Sequence, residues 1–264
     1  MWHALGQAAS GAFAGIIAAR LAAHGLRPFA IDGPGFGESA PLAAADYTVE
    51  LLADILIQAS DALGLERPIV LGHSWGATVV LAMARRNPGG VAGVVLLDAG
   101  HADYANWPNA KVAATVEELI DAARPADEVA TSWEALEAEV AEAYPGRDWM
   151  LEFFRAGTRI GEDGRVMTIA PAEVRGGALH GMIQARPSLA WPVLQAGGTP
   201  GLLLLATVPE EVDRTNRRFA PAFREAWPDA EVAHIDGATH SLFTELGEGL
   251  GDLIGDWAQR VGIA

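Results

Sequence analysis

A chain of 264 residues, half of them hydrophobic, is long enough for one large α/β domain with a sizeable core. It holds no cysteine, which excludes disulfides, thiol catalysis and thiolate metal sites; its formal charge of −16 argues against nucleic acid and anionic membrane surfaces as partners. No apolar run reaches the ~18 residues of a membrane span, and Met1-Trp2-His3 offers no basic start for a secretory signal. The cytoplasm is the expected location.

In chain order, the apolar spacing predicts a helix over Phe13–His24, a strand over Pro28–Ile31 and a helix over Val49–Leu63. A strand over Pro68–Leu71, a helix over Thr78–Arg86 and a strand over Val91–Leu97 follow. From about His101 to Gly198 the chain turns helical, acidic and rich in tryptophan, with Thr115 and Glu118 spaced as a capping box. The alternation then resumes with a strand over Gly201–Ala206, a helix over Asn216–Trp227, a strand over Glu231–Ile235 and a helix over Leu246–Val261. Such alternation implies a mostly parallel sheet with helices on both faces. Residues 1–100 and 199–264 are expected to form the core, and 101–198 a helical cap.

The segment Gly72-His73-Ser74-Trp75-Gly76 fits the G-x-S-x-G nucleophile elbow, preceded by the strand-like "PIVL" and followed by the helical "ATVVLAMARR". Glycines suit such a corner because the backbone turns sharply and helix and strand approach closely. A serine hydroxyl needs a base within hydrogen-bond reach. Of seven histidines, His240 in "IDGATHSLF" lies on a loop after the last expected strand, at the same sheet edge as Ser74. "DGPGFGES" has neither the lysine of a P-loop nor the spacing of a dinucleotide fingerprint, and reads as a tight loop at the pocket edge.

With "HALGQAASGAF" at residues 3–13, "IDGPGFGESA", "GHSWGA" and "GATH" in this order, the chain resembles the α/β-hydrolase-fold enzymes over nearly its whole length. The resemblance implies that His3 matches the family's His-Gly oxyanion loop, with Ala4 in place of the usual glycine. It implies an oxyanion hole made by the backbone N–H of Trp75 and that of Leu5, with Ala4 as the alternative second donor. The family's usual acid, after the strand that follows the cap, is missing: Thr207, Val208 and Pro209 stand there, followed by Glu210 and Glu211. Its other location, the end of the strand after the elbow helix, holds Asp98, 24 residues beyond Ser74. That spacing resembles haloalkane dehalogenases and zearalenone lactonases. Asp98 is the acid expected, with Glu210 or Glu211 as alternatives. The family's opening hairpin and most of its next strand are absent, so the natural product is expected to be longer, with Met1 inside that strand.

A Ser74–Asp98–His240 triad implies acyl transfer through an acyl-enzyme, and hence hydrolysis of a small hydrophobic ester or lactone by a monomer or homodimer, with no metal or organic cofactor. Dehalogenase or epoxide hydrolase chemistry would need a carboxylate at position 74. A carbon–carbon bond hydrolase, a cofactor-free haloperoxidase or a ligand-binding member of the fold would keep the same three residues. The substrate pocket is expected to draw on His101, Tyr104, Trp107 and Trp191, with Trp75, Trp149 and Met182 as further apolar candidates.

Overall fold

A computed structural model describes every residue of the chain except 9, 10, 12, 14 and 109. Strands β1 (Ile69–His73), β2 (Gly93–Leu97), β6 (Gly201–Ala206) and β7 (Ala230–Ile235) form a parallel sheet in the order β1-β2-β6-β7. Three short antiparallel strands, β3 (Glu128–Ala130), β4 (Thr158–Ile160) and β5 (Val166–Thr168), make a separate sheet in the order β3-β5-β4. Every residue of β2 and β6 is buried, as expected of Val- and Leu-rich strands covered on both faces.

Alternate residues of these strands feed two different cores. Val70, Val94, Leu96, Leu203 and Leu205 pack on one face with Leu52, Val79 and Phe223. Leu71, Val95, Leu97, Leu202 and Leu204 pack on the other with Ile17, Ile254 and Trp257. The period-2 pleat produces this division, and full burial of each such side chain is worth roughly 1.5–3 kcal/mol.

The first residues fill the slot beside β1. Trp2 bridges in parallel to both Ile31 and Gly72, its N–H donating to the Leu71 carbonyl at 2.8 Å. The expected strand over Pro28–Ile31 is reduced to that bridge at Ile31.

Between β2 and β6 the chain divides in two. Ala130, Leu136, Val140, Met150 and Val166 form a small core of their own. The helix Ala172–Gln184 and the helix Trp191–Ala196 instead lend Val174, Ala178, Met182 and Leu194 to the main core. The Thr115–Glu118 capping box forms at the start of the helix Val116–Ala123, both of its reciprocal hydrogen bonds being present. Asp98 and Ser74 directly follow β2 and β1, and His240 lies in the loop after β7, so all three sit at the C-terminal edge of one parallel sheet.

Candidate active site

Ser74 stands between β1 and the helix Trp75–Arg86 with φ 54° and ψ −119°, a conformation that L side chains rarely adopt. The flanking glycines make the corner possible. A Cβ on Gly72 would strike the Gly76 carbonyl, and one on Gly76 would lie 2.5 Å from the Trp2 carbonyl oxygen. The corner is thus closed by the elbow helix on one side and by the amino-terminal segment on the other. No side-chain carbon fits.

The Asp98 side chain is buried and has three donors. Its Oδ2 accepts from His240 Nδ1 at 2.7 Å, while Oδ1 accepts from the Ala206 N–H at 2.8 Å and from Asn216 Nδ2 at 2.7 Å. Asn216 itself is fully buried and also donates to the Ala206 carbonyl at 3.0 Å. A buried carboxylate is costly unless its oxygens are bonded in this way. The His240 side chain is 50% exposed.

Ser74, Asp98 and His240 line one cavity of about 390 Å³, together with Leu5, Tyr104, Trp107, Met182 and Val212. Among the described residues no hydrogen bond joins the Ser74 and His240 side chains. The Leu5 and Trp75 N–H groups take part in no backbone hydrogen bond outside the helices among the described residues. Trp75 is the first residue of its helix, where an amide has no partner within the helix.

Two buried imidazoles brace this arrangement. His3 Nδ1 donates to the Ala4 carbonyl at 2.8 Å and Nε2 accepts the Gly33 N–H at 3.0 Å, tying the loop of Leu5 to the glycine-rich loop. His73 Nε2 donates to the His240 carbonyl at 2.7 Å, which fixes the backbone of the histidine loop. Its Nδ1 lies 3.3 Å from the Gln7 side-chain amide. The atom placed there is Gln7 Oε1; a neutral ring whose Nε2 donates must accept at Nδ1, which requires the amide turned over so that its NH2 faces the ring.

Of the residues expected in the pocket, Tyr104, Trp107 and Met182 line the cavity, whereas His101 and Trp191 lie behind it. The Trp191 indole donates to the Gly100 carbonyl at 2.9 Å and packs on Phe223. His101 is buried facing Asn216 and Ala99, with neither ring nitrogen in a hydrogen bond of good geometry. The Trp75 side chain is enclosed by Trp2, His3 and Phe36, and Trp149 packs beside the smaller core. Glu210 and Glu211 begin the exposed first turn of the helix Glu210–Ala226. The acid bonded to His240 is Asp98.

Sequence reasoning missed Asn216, His73 and Gln7. For Asn216 a signal existed: with Ala220 and Phe223 it occupies the buried face of its helix, a place where a lone amide must have a bonding partner.

Burial pushes His73 down to about 3 and both His3 and His101 down to about 4, so all three are neutral in the folded chain at neutral pH. Unfolded, they titrate near 6.5. Below that pH the unfolded chain binds protons that the folded one refuses, so this contribution to stability is complete above pH 6.5 and shrinks as pH falls toward 4. The urea midpoint is expected to drop between pH 7 and pH 5. A midpoint that holds or rises over that interval would contradict the neutral, buried assignment.

The chain belongs to the alpha/beta hydrolase fold family, whose family model matches residues 1–162. It is similar to a putative non-heme haloperoxidase of Mycobacterium phage D29, at 41% identity over 80 residues, 30% of this chain and 28% of that protein. It is also similar to bifunctional epoxide hydrolase 2 of Sus scrofa, at 37% over 79 residues, 30% of this chain and 14% of that one. The matched stretch therefore spans well under two thirds of either relative. Among solved structures, an M. tuberculosis esterase superposes with a TM-score of 0.70 at 20% identity, covering 98% of this chain and 83% of its own. No described helix is long and apolar enough to cross a membrane.

Proposed function

We propose that this hydrolase-family chain cleaves a carboxylic ester or lactone, with Ser74 as nucleophile, His240 as base and Asp98 as the acid that orients it. The observation that carries the reading is the 2.7 Å bond from Asp98 to His240 Nδ1 at the wall of a cavity also lined by Ser74. With its proton on Nδ1, the ring leaves Nε2 as an acceptor for the serine proton. The Ser74 oxygen bonds to the carbonyl carbon while the imidazole takes the proton; collapse breaks the ester bond, and the imidazole returns the proton to the leaving alkoxide. Water repeats the sequence, releasing the acid and restoring the serine. The Leu5 and Trp75 N–H groups receive the oxyanion, each such donor being worth about 2.7–4 kcal/mol of barrier.

A hydroxyl at position 74 forms an acyl-enzyme. The alkyl-enzyme needed for epoxide opening by a carboxylate nucleophile is foreign to it, despite the epoxide hydrolase among the relatives. Residues 101–198 serve as the cap that sets which esters enter, through Tyr104, Trp107, Leu179 and Met182 at the cavity wall.

The test is twofold. A fluorophosphonate probe is expected to label the chain at Ser74, mapped by peptide mass spectrometry. Short 4-nitrophenyl esters are expected to turn over with burst kinetics. Labelling at another residue would sink the nucleophile assignment. Labelling at Ser74 without turnover of any ester or lactone would sink the hydrolase reading.

A further inference from the structure

Beyond the catalytic cavity lies a second cleft of about 460 Å³. The two share Tyr104, Trp107 and Val212, so they meet at a common rim. The outer cleft is lined on one side by Arg214 and Arg218, one helical turn apart on the helix Glu210–Ala226 and so on one face of it. In a chain with 34 acidic and 18 basic residues, neither arginine is in an ion pair among the described residues, whereas Arg217 between them pairs with Asp213 at 2.8 Å.

Arg218 is also held in place. Its guanidinium lies 5.2 Å from the Phe219 ring centre, Phe219 stacks on Trp107 at 6.4 Å, and Trp107 stacks on Tyr104 at 5.9 Å. This ladder of rings runs from the wall of the catalytic cavity out to the cationic rim. Stacking on an aromatic face leaves the edge N–H groups of a guanidinium free to receive an anion. Glu211 also lines the cleft, so two positive charges face one negative and leave room for a single anionic group.

We infer that the substrate is a carboxylate-bearing ester or lactone, whose reacting carbonyl sits at Ser74 while its far carboxylate is held by Arg214 and Arg218. Binding a carboxylate by a fork of N–H donors gives direction as well as attraction, so it would select the orientation in which the chain enters the cavity. This inference rests on the ester-hydrolase reading above. It goes further by assigning charge to the substrate and two specificity-determining residues to the rim.

The experiment compares mono-4-nitrophenyl esters of straight-chain diacids of four to eight carbons with the neutral monoacid esters of equal length. The best diacid half-ester is expected to exceed its neutral partner in kcat/KM. In the Arg214→Gln/Arg218→Gln double variant the anionic-to-neutral ratio is expected to fall about fivefold to tenfold, through KM rather than kcat. Raising the salt concentration should erode the same ratio in the wild-type chain, because both arginines are solvent-exposed.

A ratio at or below one for every length, or a ratio untouched by the double variant, overturns the inference while leaving the hydrolase reading standing. Should no ester of either kind turn over, the hydrolase reading fails instead. The rim is then tested by calorimetric titration of the Ser74→Ala chain with suberate. Binding that weakens in the double arginine variant supports the inference; absence of binding overturns it.

Discussion

Replacing Ser74 by alanine is expected to lower kcat for any ester the chain cleaves by at least about 10⁴-fold, leaving only the rate that binding and the oxyanion amides sustain. Replacement by glycine is expected to be equally inactive yet more stable than either. Ser74 holds φ 54° and ψ −119°; a residue with a Cβ is strained there by about 1–3 kcal/mol. Glycine relieves that strain, although the freer unfolded chain gives back about 0.5–1 kcal/mol. A net gain of about 1 kcal/mol corresponds to roughly 2–4 °C in a chain of this size. Calorimetric melting of the three forms and ester kinetics check both halves. An alanine form that keeps a tenth of wild-type kcat/KM removes Ser74 from the chemistry, and a glycine form that melts below the alanine form removes the strain argument.

Asp98→Asn is expected to cost about 10⁴-fold in kcat with little change in KM. The reason lies in the bonds around the carboxylate. Oδ1 accepts from both the Ala206 N–H and Asn216 Nδ2, so an asparagine at position 98 must turn its carbonyl oxygen toward those two donors. Its NH2 then faces His240 Nδ1, which has to accept. The ring proton moves to Nε2, the nitrogen needed as base, and the imidazole can no longer take the serine proton. Glu210→Gln tests the alternative acid and is expected to keep the wild-type rate, since Glu210 is exposed in the first helical turn. Steady-state kinetics of the two variants decide the matter. Loss with Glu210→Gln, or a substantially active Asp98→Asn chain, overturns the assignment of the acid.

Much of this site could be read in the sequence because its constraints are local. Two glycines around a serine, between an apolar run and an amphipathic one, mark the corner at Ser74, and a strand of Val and Leu ending in Asp98 places an acid at the same sheet edge. What could not be read depends on contacts between distant segments. The apolar spacing predicts the helix Glu210–Ala226 only from Asn216, whereas it begins at Glu210, where an acidic first turn suits a helix N-terminus. A start at Asn216 hides that residue as a terminal one rather than a buried partner of Asp98. The strands β3, β4 and β5 have three residues each, too few to show a period. Tryptophan gives no hint of whether its ring will line a cavity, as Trp107 does, or seal a core, as Trp191 does.

Residues His73 and Leu97 face each other in the register of β1 and β2, and Ser74 N donates to the Leu97 carbonyl at 3.1 Å. The proposed nucleophile and acid therefore leave adjacent, directly bonded strands, both encoded upstream of residues 101–198. They follow neighbouring strands, which lie about 4.8 Å apart in a sheet. On the cap role proposed for residues 101–198, changes there alter which molecules are admitted while the two strand ends continue to hold Ser74 and Asp98 side by side. A library of new specificities built on this scaffold should accordingly be diversified there and on the Arg214–Arg218 rim, with the two strand ends left as they are.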